Sequence, residues 1–237
     1  MSYLLDVSRR LQTLAGRQSE AFATISRRYA EAISRGGVIH MFGCGHSSLI
    51  AQEAYYRAGG LVPVRPILIE PLMLHKGGVQ ASQYERTPGF VGPYLEKEDV
   101  QPEDAVLILS TSGRNPAPVE AAEFFRERGV YTTALTSLRY AASQPSRLDS
   151  GKRLEDAAEN VIDMEVPVGD AVMKGKGTSH SPVSTVLGTA IVHELLTRTI
   201  HHLEERGMEV PVFKSGNVDG SDEHNQRMID HYTRIRF

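Results

Sequence analysis

The stretch that most constrains the fold is residues 104–129, DAVLILSTSGRNPAPVEAAEFFRERG. Residues 105–109 form an apolar run of strand length, and apolar residues recur at helical spacing after Pro118. The segment STSG, residues 110–113, joins these two parts. The sequence therefore predicts a buried strand that passes into a helix through a loop of hydroxyl side chains and glycine.

This STSG loop has the chemistry of an anion site. A helix N-terminus presents unpaired N–H groups and the positive end of the helix dipole, and hydroxyl groups add further donors. Serine and threonine also cap helices, so a simple turn and cap is the alternative. Three consecutive hydroxyls followed by glycine exceed what a cap needs. We therefore expect an anion here, with phosphate as its natural form.

Composition describes an ordinary soluble chain. Its 237 residues suffice for one large α/β domain, and the net charge of −3 comes without a basic run. Nucleic acid and anionic membranes are therefore not expected as partners. Cys44 is the only cysteine, which excludes an internal disulfide framework. The absence of an apolar run of membrane-spanning length and of a signal-peptide pattern adds to the expectation of a cytoplasmic protein.

Strands and helices are predicted to alternate along the chain. This alternation favours an α/β fold with three layers, in which helices cover both faces of a parallel sheet. Residues 62–69 are expected to form an edge or irregular strand because two prolines remove ladder donors. Helices are predicted at 3–34, from 46 to about 58, 72–84, 154–158, 182–206 and after Ser221, strands at 38–42, 105–109, 131–136 and 161–166, and loops at 138–151 and 169–181. Ser181 is predicted as the N-cap of the helix at 182–206, with Pro182 at its first position and Gly207 after its last turn.

The loop at residues 43–48, GCGHSS, shares the design of the STSG loop. Each follows a buried strand, opens a helix and combines glycine with hydroxyls. Because the carboxyl ends of parallel strands lie at one edge of a sheet, the two loops can converge on one ligand. Gly43 and Gly45 with Glu70 also match part of a dinucleotide fingerprint, but Ser48 replaces its third glycine. We expect no cofactor.

The segments VIHMFGCGHSS and DAVLILSTSGRNPAPVEAAEFFRERG resemble the two signature segments of the sugar isomerase (SIS) domain family. The resemblance extends from Gly37 to about Arg206 and implies a five-stranded parallel sheet of flavodoxin-like type. It also implies a homodimer or homotetramer, a role in carbohydrate metabolism and a phosphorylated sugar as the ligand. We divide the chain into an N-terminal helix for oligomerisation or packing (1–36), the SIS domain (37–207) and a C-terminal tail with a helix (208–237).

The resemblance also assigns roles to residues of the two loops. The mode of sugar binding that it implies needs neither a metal nor a nucleotide. The residues that it implies for the phosphate are Ser110, Thr111, Ser112, Gly113 and Asn115, and those for the sugar are Gly45, Ser47 and Ser48.

Catalytic residues are predicted with less support from the pattern. Aldose–ketose isomerisation needs a base that moves a proton between adjacent carbons. The resemblance to phosphoheptose isomerases aligns His193 with their catalytic histidine. The catalytic glutamate of those enzymes aligns near Ala58, so this chain lacks it. The etherases that cleave N-acetylmuramic acid 6-phosphate also have a glutamate there. Glu53 and Glu85 are the carboxylates that could replace this glutamate, so the predicted catalytic set is His193, Glu85 and Glu53. The alternative is that both glutamates are ordinary surface carboxylates and that His193 is a half-buried structural histidine.

The sequence thus predicts a phosphosugar-binding protein, with isomerisation through an enediol as the leading reaction. A lyase or etherase that eliminates a substituent, with Glu85 as an acid, is the second interpretation, and a non-catalytic sensor is the third. The tail segment SGNVDGSDEHN is predicted to fold over the sugar of its own or a neighbouring subunit. A metal site at Asp219, Asp222, Glu223 and His224 is an alternative for that segment.

Overall fold

The computed structural model describes residues 2–237. Its centre is a five-stranded sheet with the order β2-β1-β3-β4-β5, in which every neighbouring pair is parallel. The strands are β1 (Ile39–Gly43), β2 (Val64–Ile67), β3 (Ala105–Leu109), β4 (Tyr131–Thr136) and β5 (Asn160–Asp163). The predicted sheet is confirmed, and β2 occupies an edge, where Pro66 removes no inner hydrogen bond.

Helices cover both faces of this sheet and give two separate hydrophobic cores. Side chains of α1, α2, α3 and α8 pack on one face, and those of α5, α6 and α7 pack on the other. The helices are α1 (Tyr3–Arg17), α2 (Ser19–Ser34), α3 (His46–Glu53), α4 (Gly78–Glu85), α5 (Gly92–Leu95), α6 (Pro116–Glu127), α7 (Leu154–Ala157), α8 (Ser184–Glu205) and α9 (Asp222–His231), with 3-10 turns at Glu70–Leu72 and Leu74–Lys76.

The N-terminal segment forms two helices instead of the single helix predicted for residues 3–34. The break falls at Gln18, two residues after Gly16, whose low helix propensity weakens the turn there. Phe22, Ile25 and Tyr29 of α2 are at most 2% exposed and belong to the core of the domain. These residues of α2 therefore pack in the core beside the sheet, and the role of the N-terminal segment in oligomerisation stays a prediction.

The helix predicted to reach Ala58 ends five residues earlier, at Glu53. Tyr56 adopts a φ of 45°, in the left-handed region that a residue with a side chain rarely adopts. Its ring packs edge-on against Phe213, with ring centres 5.1 Å apart, so contacts with the C-terminal tail hold this conformation. Sequence periodicity could not reveal this ending because the contact is distant in the chain.

Residues 169–181 were predicted as a loop, but most of them form a hairpin of β6 (Ala171–Lys174) and β7 (Ser179–Pro182). Pro182 therefore ends a strand, and Ser181 is not the N-cap of α8. That helix begins at Ser184, where Asp170 Oδ1 accepts hydrogen bonds from the N–H groups of Val183 and Ser184. Residues distant in sequence thus supply the cap that a local pattern had assigned to Ser181.

The C-terminal tail is attached to the end of the sheet opposite the strand carboxyl ends. Arg234 donates two hydrogen bonds to the buried carboxylate of Asp104, at 2.9 and 2.8 Å. The carboxylate also accepts from the His40 imidazole and from the N–H groups of Val38 and Gln101. Burial alone would raise the pKa of Asp104, but these donors together hold it well below its usual range.

We expect Arg234→Ala to lower the free energy of unfolding by about 3 kcal/mol, because it leaves a buried charge without its ionic partner. Urea denaturation at neutral pH measures this change. Arg236→Ala is the matched control, since the exposed Arg236 side chain makes no hydrogen bond or ion pair within residues 2–237, and the main-chain carbonyl that accepts from Tyr55 is kept. Equal stability of the Arg234→Ala variant and the native protein would contradict a stabilising role for this contact.

Candidate functional site

A cavity of about 400 Å³ opens at the carboxyl ends of β1 and β3. The order of the sheet reverses between these two strands, and such a crevice is where open α/β sheets bind ligands. The two loops predicted to converge do so here. The lining residues are Cys44, Gly45, His46, Ser47, Leu74, Ser82, Glu85, Ser110, Thr111, Ser112, Asn115, Tyr140, Asp170, Pro182, Ser184 and Thr185.

The main-chain carbonyl groups of Thr111 and Ser112 in the STSG loop accept hydrogen bonds from other parts of the protein. Thr111 O accepts from Ser137 N–H at 3.0 Å, and Ser112 O accepts from Arg153 Nη2 at 2.6 Å. The hydroxyl and N–H groups of Thr111 and Ser112 make no hydrogen bond with another residue in the part of the chain that the structure describes. The loop therefore presents donors to the cavity, as an anion requires.

Of the predicted phosphate set, Ser110 lines the cavity and Gly113 does not, and both also shape the loop. Ser110 is 6% exposed, and its hydroxyl accepts a hydrogen bond from Gly113 N–H at 3.3 Å, which closes the loop. Gly113 is buried behind the cavity with a φ of +61°. A Cβ atom there would lie 2.7 Å from Glu155 Oε2 and 2.8 Å from Thr136 Oγ1, so this glycine allows close packing instead of lining the cavity.

The first loop contributes Gly45 and Ser47 to the cavity wall. Gly43 must be glycine because a Cβ atom there would lie 2.8 Å from the main chain of Ser47. This close approach brings the start of α3 to the end of β1. Ser48 does not line the cavity; it is 1% exposed, and its hydroxyl donates to the Gly45 carbonyl at 2.8 Å. Its predicted contact with the sugar would need this buried hydroxyl to become accessible from the cavity.

Glu85, at the end of α4, is the predicted catalytic residue that lines the cavity. Its Oε1 accepts a hydrogen bond from Asn115 Nδ2 at 2.8 Å, whereas Oε2 has no hydrogen-bond partner within residues 2–237. Burial raises the pKa of Glu85, while the Asn115 hydrogen bond and the charges of Arg86 and Arg147 oppose that rise. The carboxyl is thus a stronger base than an exposed glutamate.

The cavity also contains polar residues that the sequence analysis did not single out. Asp170 is one of them, but its carboxylate is occupied at the start of α8, where Ser184 Oγ also donates to it at 2.7 Å. Tyr140 lies in the predicted loop 138–151, and its hydroxyl accepts from Gly169 N–H at 2.9 Å. His46 lies at the mouth and is exposed. Its place inside the GCGHSS segment was the signal that could have identified it.

Glu53 and His193 lie together outside this cavity. His193 Nε2 and Glu53 Oε2 are 2.6 Å apart, and Arg57 also pairs with the Glu53 carboxylate. Burial lowers the pKa of His193, and the charge of Arg57 lowers it further, so the neutral imidazole donates to the carboxylate. The structure thus joins two of the predicted catalytic residues to each other and separates both from Glu85.

The C-terminal tail does not line this cavity either. Residues of the tail instead enclose a second cavity of about 380 Å³ beside Tyr56 and Arg57. His224 donates to the Val212 carbonyl at 2.8 Å, and the part of the chain that the structure describes contains no cluster of metal-ligating side chains. Within residues 2–237, no helix has the length and apolar character to span a membrane.

Cys44, the only cysteine of the chain, provides a probe of this cavity. Burial raises the pKa of its thiol well above the usual range, and the charge of Glu85 raises it further. Because the thiolate is the reactive form, we expect Ellman's reagent to modify the native protein at least about tenfold more slowly than the unfolded chain. A ligand in the cavity should slow it further. Equal rates for native and unfolded protein would contradict the position of Cys44.

The chain is similar to curated bacterial proteins over nearly its whole length. A UPF0309 protein from Geobacillus thermodenitrificans is 44% identical over 232 residues, which cover 97% of this chain and 93% of that protein. A UPF0309 protein from Lysinibacillus sphaericus is 43% identical over 231 residues, covering 98% and 95%. This coverage includes most of the C-terminal tail, which these relatives therefore share.

Solved structures share the fold at low sequence identity. A phosphoheptose isomerase from Francisella tularensis superposes with a TM-score of 0.53 and 17% identity, covering 83% of this chain and 94% of that one. The Vibrio vulnificus NanR protein, complexed with ManNAc-6P, gives 0.51 and 15%, covering 96% and 67%. The SIS domain family itself matches residues 2–137, which include both loops of the cavity. The chain therefore belongs to the SIS domain family and, within it, to the UPF0309 proteins.

Proposed function

We propose that this protein binds a phosphorylated sugar in the cavity between the two loops and isomerises it between aldose and ketose forms through an enediol. The observation that carries the proposal is the position of Glu85 in the same cavity as the STSG loop. Phosphate on the unpaired donors of Thr111 and Ser112 would fix one end of the sugar. The carbonyl end would then extend toward Glu85.

Glu85 has the properties that this reaction asks of a base. It has an oxygen atom without a partner among the described residues, and burial raises its pKa, so it can remove a proton from carbon at neutral pH. The carboxylate removes the proton from the carbon next to the carbonyl, and the carbonyl oxygen takes up a proton from solvent to give the enediol. The carboxyl then returns its proton to the former carbonyl carbon, while the hydroxyl on the neighbouring carbon loses its proton to solvent and becomes the new carbonyl. His46, at the cavity mouth, is another proton-exchanging side chain of the cavity and could assist ring opening.

Elimination is the second candidate, and the raised pKa of Glu85 is the observation that favours it. A carboxyl with a raised pKa keeps a larger protonated fraction near neutral pH than an ordinary glutamate does. Such an acid could protonate a leaving oxygen after the same enolisation. A sugar that carries a substituent next to the enolised position would then lose it instead of isomerising.

Glu53 and His193 stay predicted catalytic residues, with a different route to the substrate. They are 39% exposed or less and form a hydrogen-bonded pair on the surface of α3 and α8. Their participation would require a neighbouring copy of the chain to present its cavity to them. The predicted homodimer or homotetramer is compatible with that arrangement.

Product analysis tests the proposed reaction. Hexose, pentose, heptose and N-acetylhexosamine phosphates are incubated with the protein in deuterium oxide and followed by NMR and mass spectrometry. Isomerisation predicts an isomer that carries deuterium at the exchanged carbon. Two fragments, or a product lighter by the mass of water, would favour elimination. Binding without exchange or conversion would favour the non-catalytic sensor.

A further inference from the structure

The side chain of Asn115 connects the candidate base to an arginine in a distant loop. Asn115 is 8% exposed, and both ends of its amide are occupied. Its Nδ2 donates to Glu85 Oε1 at 2.8 Å, and its Oδ1 accepts from Arg147 Nη1 at 2.7 Å. The reverse amide orientation would face N–H toward a guanidinium and oxygen toward a carboxylate, so the two contacts fix it.

This arrangement changes what Asn115 can do. Sequence resemblance assigned it to phosphate binding, but its amide already makes these two hydrogen bonds. Nδ2 carries a second N–H, which makes no hydrogen bond within residues 2–237, so the predicted contact with phosphate and the contact with Glu85 can coexist. The position and charge of its partners also make Asn115 the connection through which Arg147 reaches the base.

The loop that carries Arg147 is fixed to the STSG loop by separate contacts. Arg114 donates to the Pro145 carbonyl at 2.9 Å and to Gln144 Oε1 at 3.0 Å, and the N–H of Arg147 donates to the Arg114 carbonyl at 2.9 Å. Arg153 donates to the Gln144 carbonyl at 2.6 Å. The Arg147 guanidinium is therefore not needed to hold the loop in place, and its contact with Asn115 can be removed separately.

We propose that Arg147 is a positioning residue, which aims the Glu85 carboxylate through Asn115 and stabilises its ionised form. This inference rests on the proposed function, in which Glu85 is the base. The groups that act on Glu85 are the Asn115 amide, Arg86 at the end of α4 and Arg147, and Cys44 faces it from the first loop. Of the two arginines, Arg147 is the one that reaches Glu85 through hydrogen bonds, with the buried Asn115 amide between them.

The test measures the titration of Glu85 directly and needs no substrate. Protein labelled with ¹³C at the glutamate carboxyl is titrated by NMR, and the Glu85 signal is identified by its loss in Glu85→Gln. Arg147→Met should raise the pKa of Glu85, because it removes a cation that favours the ionised form. Asn115→Ala should raise it as well, and the double variant should add little to either single change. Arg147→Lys, which keeps the charge, should restore part of the effect.

Arg128→Met is the matched control, because its guanidinium pairs with Glu96 and, within residues 2–237, contacts neither Asn115 nor the loop that carries Arg147. It should leave the Glu85 titration unchanged. An identical titration in native protein, Arg147→Met and Asn115→Ala, with thermal unfolding showing that the variants fold, would overturn the inference. An equal shift in Arg128→Met would also overturn it, because a general loss of positive charge would then explain the result.

Turnover separates this inference from the proposed function. If Glu85 is the base, Arg147→Met should move the acid limb of kcat/KM to higher pH and lower kcat/KM about tenfold below that limb. Unchanged turnover in Glu85→Gln would reject the proposed function. Loss of turnover in Glu85→Gln with an unmoved acid limb in Arg147→Met would reject the positioning role alone.

Discussion

Glu85→Gln is expected to lower kcat about 10²- to 10⁴-fold while KM changes little, since general base catalysis contributes about that much to a rate. The glutamine amide oxygen can still accept the hydrogen bond from Asn115 Nδ2, so the cavity keeps its shape. The amide has no basic oxygen for proton abstraction. Steady-state kinetics on the sugar phosphate that the product screen identifies measures both constants.

Glu123→Gln is the matched control for this result. Its carboxylate pairs with Lys152 at 2.7 Å on the surface of α6 and does not line the cavity. Native kcat in Glu85→Gln would contradict the assignment of the base. If His193→Ala abolished turnover in the same experiment, the chemistry would belong to the Glu53–His193 pair, in a site formed with another copy of the chain.

Removal of the two free hydroxyls in the STSG loop is expected to give the largest loss of affinity. Thr111→Val with Ser112→Ala should weaken binding of a sugar phosphate by about 2 to 4 kcal/mol, or about 30- to 1000-fold, because two donors to a charged group are lost. Neither hydroxyl has a partner within residues 2–237, so the fold should keep its stability. Calorimetry measures the affinity, and thermal unfolding measures the stability.

Two controls accompany the double variant. Ser143→Ala removes an exposed hydroxyl outside the cavity and should bind as the native protein does. The unphosphorylated sugar should bind equally weakly to native and double-variant protein, because it lacks the group that these hydroxyls contact. An unchanged affinity for the sugar phosphate in the double variant would move the phosphate to another part of the molecule.

The sequence predicts those parts of the fold that neighbouring residues determine. The apolar strands of the sheet, the glycine after α8 at Gly207 and the alternation that favours a parallel sheet can all be read from neighbouring residues. The end of α3 and the start of α8 could not be predicted in this way. Tyr56 is held by Phe213, and the first turn of α8 is capped by Asp170, so both boundaries depend on distant residues.

The candidate site likewise has features that local sequence predicts and features that depend on contacts between distant residues. The STSG and GCGHSS loops could be predicted to meet, because parallel strands bring their carboxyl ends to one edge. Glu85 was a candidate from resemblance, but its contact with Asn115 and the role of Arg147 needed the folded arrangement of three segments. The pairing of Glu53 with His193 likewise joins residues 140 positions apart, and no local periodicity indicates it.

The most direct test of the central claim, that a phosphorylated sugar occupies the cavity, is calorimetric titration of native protein with sugar phosphates and with the same sugars lacking phosphate. The account predicts binding of one class of sugar phosphate, at least about 30-fold tighter than its unphosphorylated sugar, and loss of this difference in Thr111→Val with Ser112→Ala. Equal affinity for both forms of every sugar, or a phosphate preference that survives in the double variant, would contradict it.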